Sequence, residues 1–362
     1  MTSKRIKVAV GLSGGVDSSV AAALLKEEGY DVIGLSMEIF DGPAGAEQPA
    51  RHACYGPNEK EDIERATAVC KKLDVPFRTI DLKKEFGDHV IKYFRDEYLA
   101  GRTPNPCIVC NSRLKFGFLL DKARESGLDF DLFATGHYAR VEKSGGRPVL
   151  KKALDVSKDQ SYFLYALSPL QLSRTLFPIG PYKKDQVREI ARSFGLETAD
   201  HPESQDFMAC GDYSFLFEKK EIHAGDIVDE QDHILGRHRG IIHYTVGQRR
   251  GLGVSSRRPL YVRTIDAERN RIVVGPRENL FSKDLIATGL NFIATERLDR
   301  PYRVKARIRL KHKEAAAMIF PHENQKVRVQ FEEPQLSVTP GQSVVFYSGD
   351  IVLGGGIIEK AL

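Results

Sequence analysis

The stretch Ile6-Lys-Val-Ala-Val-Gly-Leu-Ser-Gly-Gly-Val-Asp-Ser-Ser19 decides the fold of the first half of the chain. Residues 6–12 form an apolar run typical of a buried strand, and the Ala- and Leu-rich segment up to Glu28 predicts a helix that ends at Gly29. The glycines between them allow a tight turn whose backbone N–H groups face an anion, next to a helix N-terminus that also favours negative charge. The sequence therefore predicts a phosphate-binding loop at residues 13–19.

This loop differs from two common nucleotide-binding patterns. No Lys follows its glycines, which excludes a loop of the Gly-Lys-Ser/Thr kind, and it does not match the Gly-x-Gly-x-x-Gly dinucleotide pattern. We expect the hydroxyls of Ser18 and Ser19 to add donors beside the anion. A tight turn that merely contains glycine is the structural alternative.

Strand-like and helix-like segments alternate as far as residue 205. Strands are expected at 31–37, 76–82 and 131–135, and helices at 61–73, 86–99, 113–125, 160–167 and 184–194. This alternation predicts an α/β fold with a doubly wound parallel sheet. Later segments are short, alternating and bounded by turns, which is typical of β structure. We predict three domains: the catalytic α/β domain at 1–205, a small central module of β-rich α+β structure at 206–280 and a C-terminal β-barrel at 281–362, the last two holding the polyanion partner.

The composition excludes several classes of protein. Of the 362 residues, 41% are hydrophobic and 28% charged, a balance that argues against disorder. No apolar run approaches the ~18 residues of a membrane span, and we expect no signal peptide before the first strand. Five cysteines do not make a disulfide framework. We therefore expect a cytoplasmic protein with reduced thiols.

Positive charge is concentrated in two segments of the second half. Residues 237–277 hold ten Arg, no Lys and two acids, and residues 299–313 hold seven Lys or Arg and one acid. These segments carry +8 and +6, and because the whole chain carries +5 the remaining residues carry −9. This asymmetry favours a polyanion partner such as nucleic acid, and a solvated basic face is the alternative.

Two cysteines occur in the stretch Gly101-Arg-Thr-Pro-Asn-Pro-Cys107-Ile-Val-Cys110-Asn-Ser-Arg113. Its prolines predict a stiff, exposed loop that presents both thiols just before a helix. A helix N-terminus and nearby cations both lower the pKa of a thiol, so a thiolate nucleophile is predicted. The cations nearby in sequence are Arg102, Arg113 and Lys115.

A third cysteine, Cys210, leaves four interpretations open. The cysteines could be apolar fillers, or ligands of a structural zinc with Cys54 or a His as the fourth ligand. They could also form a redox or persulfide relay between Cys110 and Cys210. In the fourth interpretation Cys107, Cys110 and Cys210 hold an iron–sulfur cluster with one iron open to sulfur.

The loop at residues 13–19 resembles the PP-loop of the ATP pyrophosphatases, whose fold is that of the adenine nucleotide alpha hydrolases. Other motifs extend the resemblance to the bacterial tRNA-specific 2-thiouridylase (MnmA) family. They are Thr103-Pro-Asn-Pro-x-Ile-x-Cys-Asn111, Ala134-Thr-Gly-His-Tyr138, Lys158-Asp-Gln-Ser-Tyr-Phe-Leu164, Thr245-Val-Gly-Gln-Arg-Arg-Gly-Leu-Gly253 and Thr339-Pro-Gly-Gln-Ser343. Together the motifs run from residue 11 to residue 343, nearly the whole chain.

The resemblance implies an ATP-dependent thiolation of tRNA. O2 of the wobble uridine is adenylated with release of pyrophosphate, and sulfur then replaces that oxygen with release of AMP. Asp17 would act through Mg²⁺ or by fixing the loop. The implied ATP contacts are Gly11, Leu12, Ser13, Gly14, Gly15, Val16, Asp17, Ser18, Met37 and Gly136.

The resemblance also implies roles for the cysteines and for the RNA contacts. Cys110 is the nucleophile and Cys210 carries a persulfide supplied by a donor protein, while Asn105, Pro106 and Cys107 surround the target base. The implied tRNA contacts are His137, Lys158, Asp159, Gln160, Arg309, Leu310 and Gln342. A satisfied core histidine is the alternative for His137.

The chain departs from the family pattern at three places. Many family members have Asp at the position of Cys107, so a carboxylate role there cannot apply, and a thiol suits a three-cysteine cluster better. The spacing from Ser204 to Cys210 is two residues longer than usual, and an ungapped alignment puts Met208 in place of the cysteine. Leu310 replaces a Tyr, which weakens the role implied for Arg309.

Two other functions remain in view. One is a different PP-loop synthetase or a 4-thiouridine-type enzyme, and the other is an ATP-sensing RNA-binding protein without catalysis. The basic second half and the reactive-looking cysteines favour thiolation of tRNA over either alternative.

Overall fold

The computed structural model describes residues 5–42, 53–201, 206–208, 213–295 and 297–362. The strands are β1 (Lys7–Gly11), β2 (Asp31–Glu38), β3 (Ala53–Tyr55), β4 (Phe77–Asp81), β5 (Leu132–Thr135), β6 (Ala139–Ser144), β7 (Arg147–Lys152), β8 (Thr175–Leu176), β9 (Asp206–Met208), β10 (Gly225–Val228), β11 (Ile234–His238), β12 (Tyr261–Asp266), β13 (Arg271–Gly275), β14 (Phe281–Phe292), β15 (Tyr302–Arg307), β16 (Ala315–His322), β17 (Lys326–Leu336), β18 (Ser343–Ser348) and β19 (Ile351–Ala361).

The α-helices are α1 (Val16–Glu27), α2 (Glu59–Lys72), α3 (Lys83–Phe86), α4 (Lys92–Leu99), α5 (Pro106–Val109), α6 (Leu119–Glu125), α7 (Pro169–Ser173) and α8 (Lys184–Ser193). A π-helical stretch, Gly87–Ile91, joins α3 to α4, and a second, Cys110–Phe118, joins α5 to α6. Among the described residues, no helix has the length and apolarity that crossing a bilayer requires.

The chain forms two compact units. The first unit comprises residues 1–89, 107–211 and 350–352, and the second comprises residues 90–106, 212–349 and 353–362.

The first unit contains a parallel five-stranded sheet in the order β4-β2-β1-β5-β8. Val8, Ala9 and Val10 of β1 are fully buried, because helices cover both faces of the sheet. The predicted doubly wound α/β fold is confirmed. The chain proceeds from β1 to β2 on one side and returns to β5 on the other, so the strand order reverses at β1. The carboxyl ends of β1 and β5 therefore flank the crevice in which such sheets bind ligands.

Two local features of the first unit differ from the sequence expectation. A hairpin of β6 and β7 was not predicted, although Gly145 and Gly146 at its turn both have positive φ, at 57° and 80°. In place of a helix at 160–167 there is a single 3₁₀ turn, Ser161–Phe163. The reason is local, because the Asp159 carboxylate accepts hydrogen bonds from the backbone N–H and hydroxyl of Ser161.

The second unit contains the predicted β structure. The small sheet has the order β11-β10-β13-β12 and encloses a core that includes Ile227, Val262 and Ile272. Six antiparallel strands, in the order β14-β17-β16-β15-β18-β19, close into a barrel through pairing of β14 with β19. The expectation of a β-rich module followed by a β-barrel is confirmed.

Candidate active site

The loop between β1 and α1 is shaped by glycine and by its own serines. Gly14 has φ +72°, and a Cβ on it would lie 2.4 Å from the carbonyl oxygen of Asp62, so only glycine fits. The backbone N–H of Ser13 donates to Ser18 Oγ at 3.2 Å. Ser18 Oγ and Ser19 Oγ both donate to the carbonyl of Gly15, at 3.2 and 2.8 Å. In this structure both hydroxyls are therefore engaged within the loop itself.

Gly136 brings the end of β5 against this loop. A Cβ on Gly136 would lie 2.4 Å from the backbone nitrogen of Ser18 and 2.5 Å from the carbonyl carbon of Asp17. Only a residue without a side chain permits this approach. Because parallel strands end at the same edge of a sheet, Met37 near the end of β2 lies at that edge too, and it is half-buried. The structure thus brings together the loop, Met37 and Gly136, at the switch point of the sheet.

Asp17, in the first turn of α1, is held by two side chains that sequence reasoning missed. Lys184 Nζ donates to Asp17 Oδ1 and Oδ2 at 2.7 and 2.9 Å, and the hydroxyl of Tyr138 donates to Oδ1 at 2.9 Å. Lys184 is buried, with only 9% of its side chain exposed. Since Lys184 lies 167 positions from Asp17, no local pattern could reveal the pair. The arrangement favours the loop-fixing role of Asp17.

His137 follows Gly136 and is a neutral imidazole. Its Nδ1 lies 2.7 Å from Thr135 Oγ1, and its ring contacts the rings of Phe116 and Phe177. Burial, with a smaller contribution from the positive charge of Lys115, lowers the pKa of His137 to about 3. The ring therefore carries no charge at neutral pH.

Cys107 and Cys110 lie within a helix rather than in an exposed loop before one. The helix begins at Pro106, because proline fits the first helical position, where its missing N–H costs no hydrogen bond. Cys107 is its second residue, and Cys110 begins the π-helical stretch. Both side chains are half-buried. The prediction of an exposed loop is therefore wrong at these two residues.

The prediction of a lowered thiol pKa is also wrong for Cys110. Burial raises the pKa of this thiol to about 11, although the cation of Lys115 opposes the shift. Cys110 is the fifth residue of the helix, beyond the first turn in which the helix dipole acts strongly. Burial also disfavours the charged form of Lys115. Its electrostatic interaction with Cys110, Cys54 and Cys107 outweighs the effect of burial and raises the pKa of Lys115. At neutral pH the site holds a neutral thiol beside an ammonium group.

This protonation state has a measurable consequence. Because only a thiolate reacts with iodoacetamide, the rate of Cys110 alkylation should rise about tenfold per pH unit from pH 7 to pH 9 and should not level off in that range. Peptide mass spectrometry of quenched samples gives the rate, with the exposed Cys54 as a reference thiol in the same chain. A rate that levels off near pH 7 would show that Cys110 is already a thiolate.

Two of the residues implied as tRNA contacts, Asp159 and Gln160, hold the segment that follows β7. The buried Asp159 accepts hydrogen bonds from the N–H groups of Ala153 and Ser161. Gln160 Oε1 accepts from the backbone N–H of Tyr138 at 2.9 Å, and Lys158 is half-buried. Their contacts with tRNA, like that of His137, remain predictions.

The other implied RNA contacts lie in the second unit. Gln342 Nε2 donates to the carbonyls of Thr103 and Pro104, directly before Asn105 and the buried Pro106. A guanidinium nitrogen of Arg309 donates to the carbonyl of Leu336 at 3.4 Å, and Leu310 is half-buried. An open hollow of about 670 Å³ in the central module is lined by the exposed Arg249, Arg257 and Arg258.

Cys210 and Ser204 lie outside the described residues, so the structure does not test the role of Cys210. Within the described residues, no group of three or more His, Cys, Asp or Glu side chains is arranged to hold a metal ion. Cys107 and Cys110 alone do not make an iron–sulfur site. The cluster and the relay therefore both remain predictions.

Comparisons with known proteins cover the chain from end to end. Residues 6–211 match the family described as the tRNA methyl transferase HUP domain. Residues 213–276 match the tRNA methyl transferase PRC-barrel domain, and residues 282–358 match the aminomethyltransferase beta-barrel domain.

Curated relatives match over almost their whole length. A tRNA-specific 2-thiouridylase MnmA from Acetivibrio thermocellus is 49% identical over 98% of this chain and 99% of that protein. A second, from Thermoanaerobacter, is 48% identical over 98% of each chain, and one from Clostridium botulinum is 45% identical over 97% of this chain and 98% of that protein. By contrast, a solved 4-thiouridine synthetase–RNA complex with bound ATP is 18% identical, with a TM-score of 0.37, over 55% of this chain and 44% of that one. At nearly half identity over its full length, this chain belongs to the MnmA family of tRNA-specific 2-thiouridylases.

Proposed function

We propose that the chain is an ATP-dependent tRNA sulfurtransferase that converts the wobble uridine to 2-thiouridine. The observation that carries this proposal is a path of contacts within the first unit. The phosphate loop contacts Gly136, and His137 follows Gly136 in the sequence. The ring of His137 packs against Phe116. Beside the larger effect of burial, the positive charge of Lys115 acts to lower the pKa of both His137 and Cys110. A nucleotide bound at the phosphate loop and the thiol of Cys110 can therefore act on the same substrate.

In the first step O2 of uridine attacks the α-phosphorus of ATP, and pyrophosphate leaves. The loop supplies backbone N–H groups to the phosphates at the N-terminus of α1. Lys184 and Tyr138 keep Asp17, and with it this turn of backbone, in place. The nucleotide would enter as its Mg²⁺ complex. Because Lys184 contacts both oxygens of Asp17, this carboxylate fits the loop-fixing role rather than that of a magnesium ligand.

In the second step a sulfur atom bonds to C2, and the C2–O2 bond breaks as AMP leaves with the oxygen. In the relay version the terminal sulfur of a Cys210 persulfide makes this attack. The Cys110 thiolate then bonds to Cys210 Sγ, and the electron pair of the broken S–S bond remains on the transferred sulfur. The products are 2-thiouridine and a Cys110–Cys210 disulfide. The ammonium of Lys115 stabilises the thiolate of Cys110 that this step needs.

The proposal includes two alternative sources of the sulfur. One is a persulfide supplied by a donor protein, and the other is sulfide bound to an iron–sulfur cluster held by three cysteines. Cys107 provides a thiol where a carboxylate is common in the family, so it suits the cluster or the wall of the base pocket. Anaerobic purification followed by iron, zinc and sulfide analysis separates the versions, because a metal-free protein with full activity excludes both a cluster and a zinc site.

The basic second unit suits a tRNA substrate. The exposed arginines around the open hollow offer contacts to phosphates, which dominate affinity for nucleic acid. The wobble base lies in a single-stranded loop, so turning it into a pocket costs little stacking energy. Because tRNA and its translation machinery occupy the cytoplasm, we place the reaction there.

The test uses unmodified tRNA transcripts and ATP with one of two sulfur sources, either sulfide alone or a persulfide donor together with a thiol reductant that reopens the disulfide, and AMP, pyrophosphate and digested nucleosides are measured together. We expect AMP, pyrophosphate and 2-thiouridine in equal amounts, and only when tRNA is present. A 4-thiouridine product would indicate the related synthase chemistry, and AMP release without tRNA would indicate a small-molecule synthetase. No AMP with any tRNA would leave an ATP-sensing RNA-binding protein.

A further inference from the structure

Two turns in the second unit share the pattern Thr-x-Gly-Gln and the same conformation. They are residues 245–248 in the central module and residues 339–342 before β18. In both, the glycine has φ +88° and the Gln N–H donates to the Thr carbonyl, at 3.1 and 3.2 Å. Each turn is tied by two backbone hydrogen bonds of 2.7–2.9 Å to one later residue, Val262 for the first and Ile358 for the second. The pattern therefore encodes one rigid turn, used twice.

Both turns hold the same residue, Thr103. Its N–H donates to the carbonyl of Pro340 at 2.9 Å, and its own carbonyl accepts from Gln342 Nε2 at 3.0 Å. Its hydroxyl lies 2.5 Å from the hydroxyl of Thr245. Gln342 Nε2 also donates to the carbonyl of Pro104 at 3.1 Å. Every polar atom of Thr103 is thus fixed by one turn or the other.

The loop at residues 101–103 is packed closely enough against the second turn and β12 to fix its position. A Cβ on Gly341 would lie 2.9 Å from both the N and the O of Thr103, so the second turn can approach only because it has glycine there. On the other side a Cβ on Gly101 would lie 3.0 Å from the carbonyl of Ile265 in β12. Arg102 is paired with Glu97 on α4. The loop therefore has little freedom to shift.

We propose that the two Thr-x-Gly-Gln turns are a clamp that positions the base-binding loop, and that Gln342 acts on the reaction through Thr103 and Pro104. Thr103 precedes Asn105 by two residues, and the helix of Cys107 and Cys110 starts at the next residue. The turns belong to the module and barrel that carry the basic surface. This inference rests on the proposed function, and it assigns to the two turns of the second unit the positioning of the loop that binds the target base.

The first test separates positioning from RNA binding with Gln342→Met, which keeps the length of the side chain and removes the donor. A positioning role predicts a fall of about 10- to 100-fold in the single-turnover rate of 2-thiouridine formation at saturating tRNA, since small misplacements of reacting groups cost that much. The Kd for tRNA and its salt dependence should stay within about twofold of the wild type. The control is Gln231→Met, an exposed glutamine of the same unit, which should change neither quantity.

The second test needs no activity. Amide hydrogen exchange measured by mass spectrometry on a peptide spanning residues 100–106 should be faster in Gln342→Met, because the bond from Thr103 N–H to Pro340 loses its support. Thr103→Val, which removes the hydroxyl contact, should give faster exchange and a slower reaction as well. Because the two hydroxyls share one hydrogen bond, Thr103→Val with Thr245→Val should be no worse than either change alone.

Two results would overturn the proposal. One is a tenfold rise in the Kd for tRNA in Gln342→Met with an unchanged rate at saturation, since Gln342 would then act as an RNA contact and not through the loop. The other is unchanged exchange in both single variants, since the turns would then not restrain the loop. A wild-type protein that makes no 2-thiouridine would overturn the proposed function instead, and the exchange rates would still decide whether the clamp exists.

Discussion

Cys110→Ser should abolish 2-thiouridine formation, with a loss of at least about 1,000-fold, while ATP still binds. A serine hydroxyl cannot take part in a disulfide or carry sulfur, so the sulfur-transfer step has no substitute for the thiol. The nucleotide loop belongs to β1 and α1, so ATP affinity should not change. A nucleoside digest of treated tRNA measures the product, and calorimetry with ATP alone measures the affinity.

The matched control for this variant is Cys70→Ala. Cys70 is a buried thiol in the core of the same unit, where it acts as a small apolar residue. Its removal should lower the melting temperature by a few degrees and leave thiolation intact. If Cys110→Ser kept more than about a tenth of the wild-type rate, Cys110 would have no part in sulfur transfer, and the role implied for it by the family would not hold in this chain.

The parts of the site that were predictable are those encoded in neighbouring residues. The loop at 13–19 follows from a strand, two glycines and a helix that adjoin in sequence. Gly136 and Met37 lie at the ends of β5 and β2, and parallel strands end at a common edge. The family resemblance singled out these two positions, and the topology of the sheet agrees with it.

The Cys110 helix shows why other parts were not predictable. Pro106 is compatible both with the end of a loop and with the first position of a helix, so local sequence does not choose between them. The π-helical stretch is supported from a distance, because Gln171 Nε2 donates to the carbonyls of Ser112 and Phe116 at 3.0 and 2.8 Å. The thiol pKa then follows from burial, which depends on tertiary packing and not on the cations nearby in sequence.

Lys184→Met should weaken ATP binding by about 100-fold, which corresponds to about 2.8 kcal/mol. Without the ammonium, Asp17 keeps its hydrogen bond from Tyr138, and its charge repels the phosphates that the loop must hold. The variant should also be less stable by about 3 kcal/mol, the low end for a broken buried pair, since 26% of the Asp17 side chain is exposed. Calorimetry with ATP in the absence of tRNA and thermal unfolding measure the two effects. Lys183→Met, at the exposed neighbouring lysine, is the matched control and should change neither.

The double variant Asp17→Asn with Lys184→Met separates the two effects of the pair. It leaves no buried charge without a partner, so most of the lost stability should return. ATP affinity should stay low, because an amide beside a methionine does not anchor the turn as the ion pair does. If the double variant bound ATP like the wild type, the pair would serve the fold alone. If ATP affinity stays low as expected, Lys184 is as necessary for nucleotide binding as the glycines of the phosphate loop, although no sequence motif includes it.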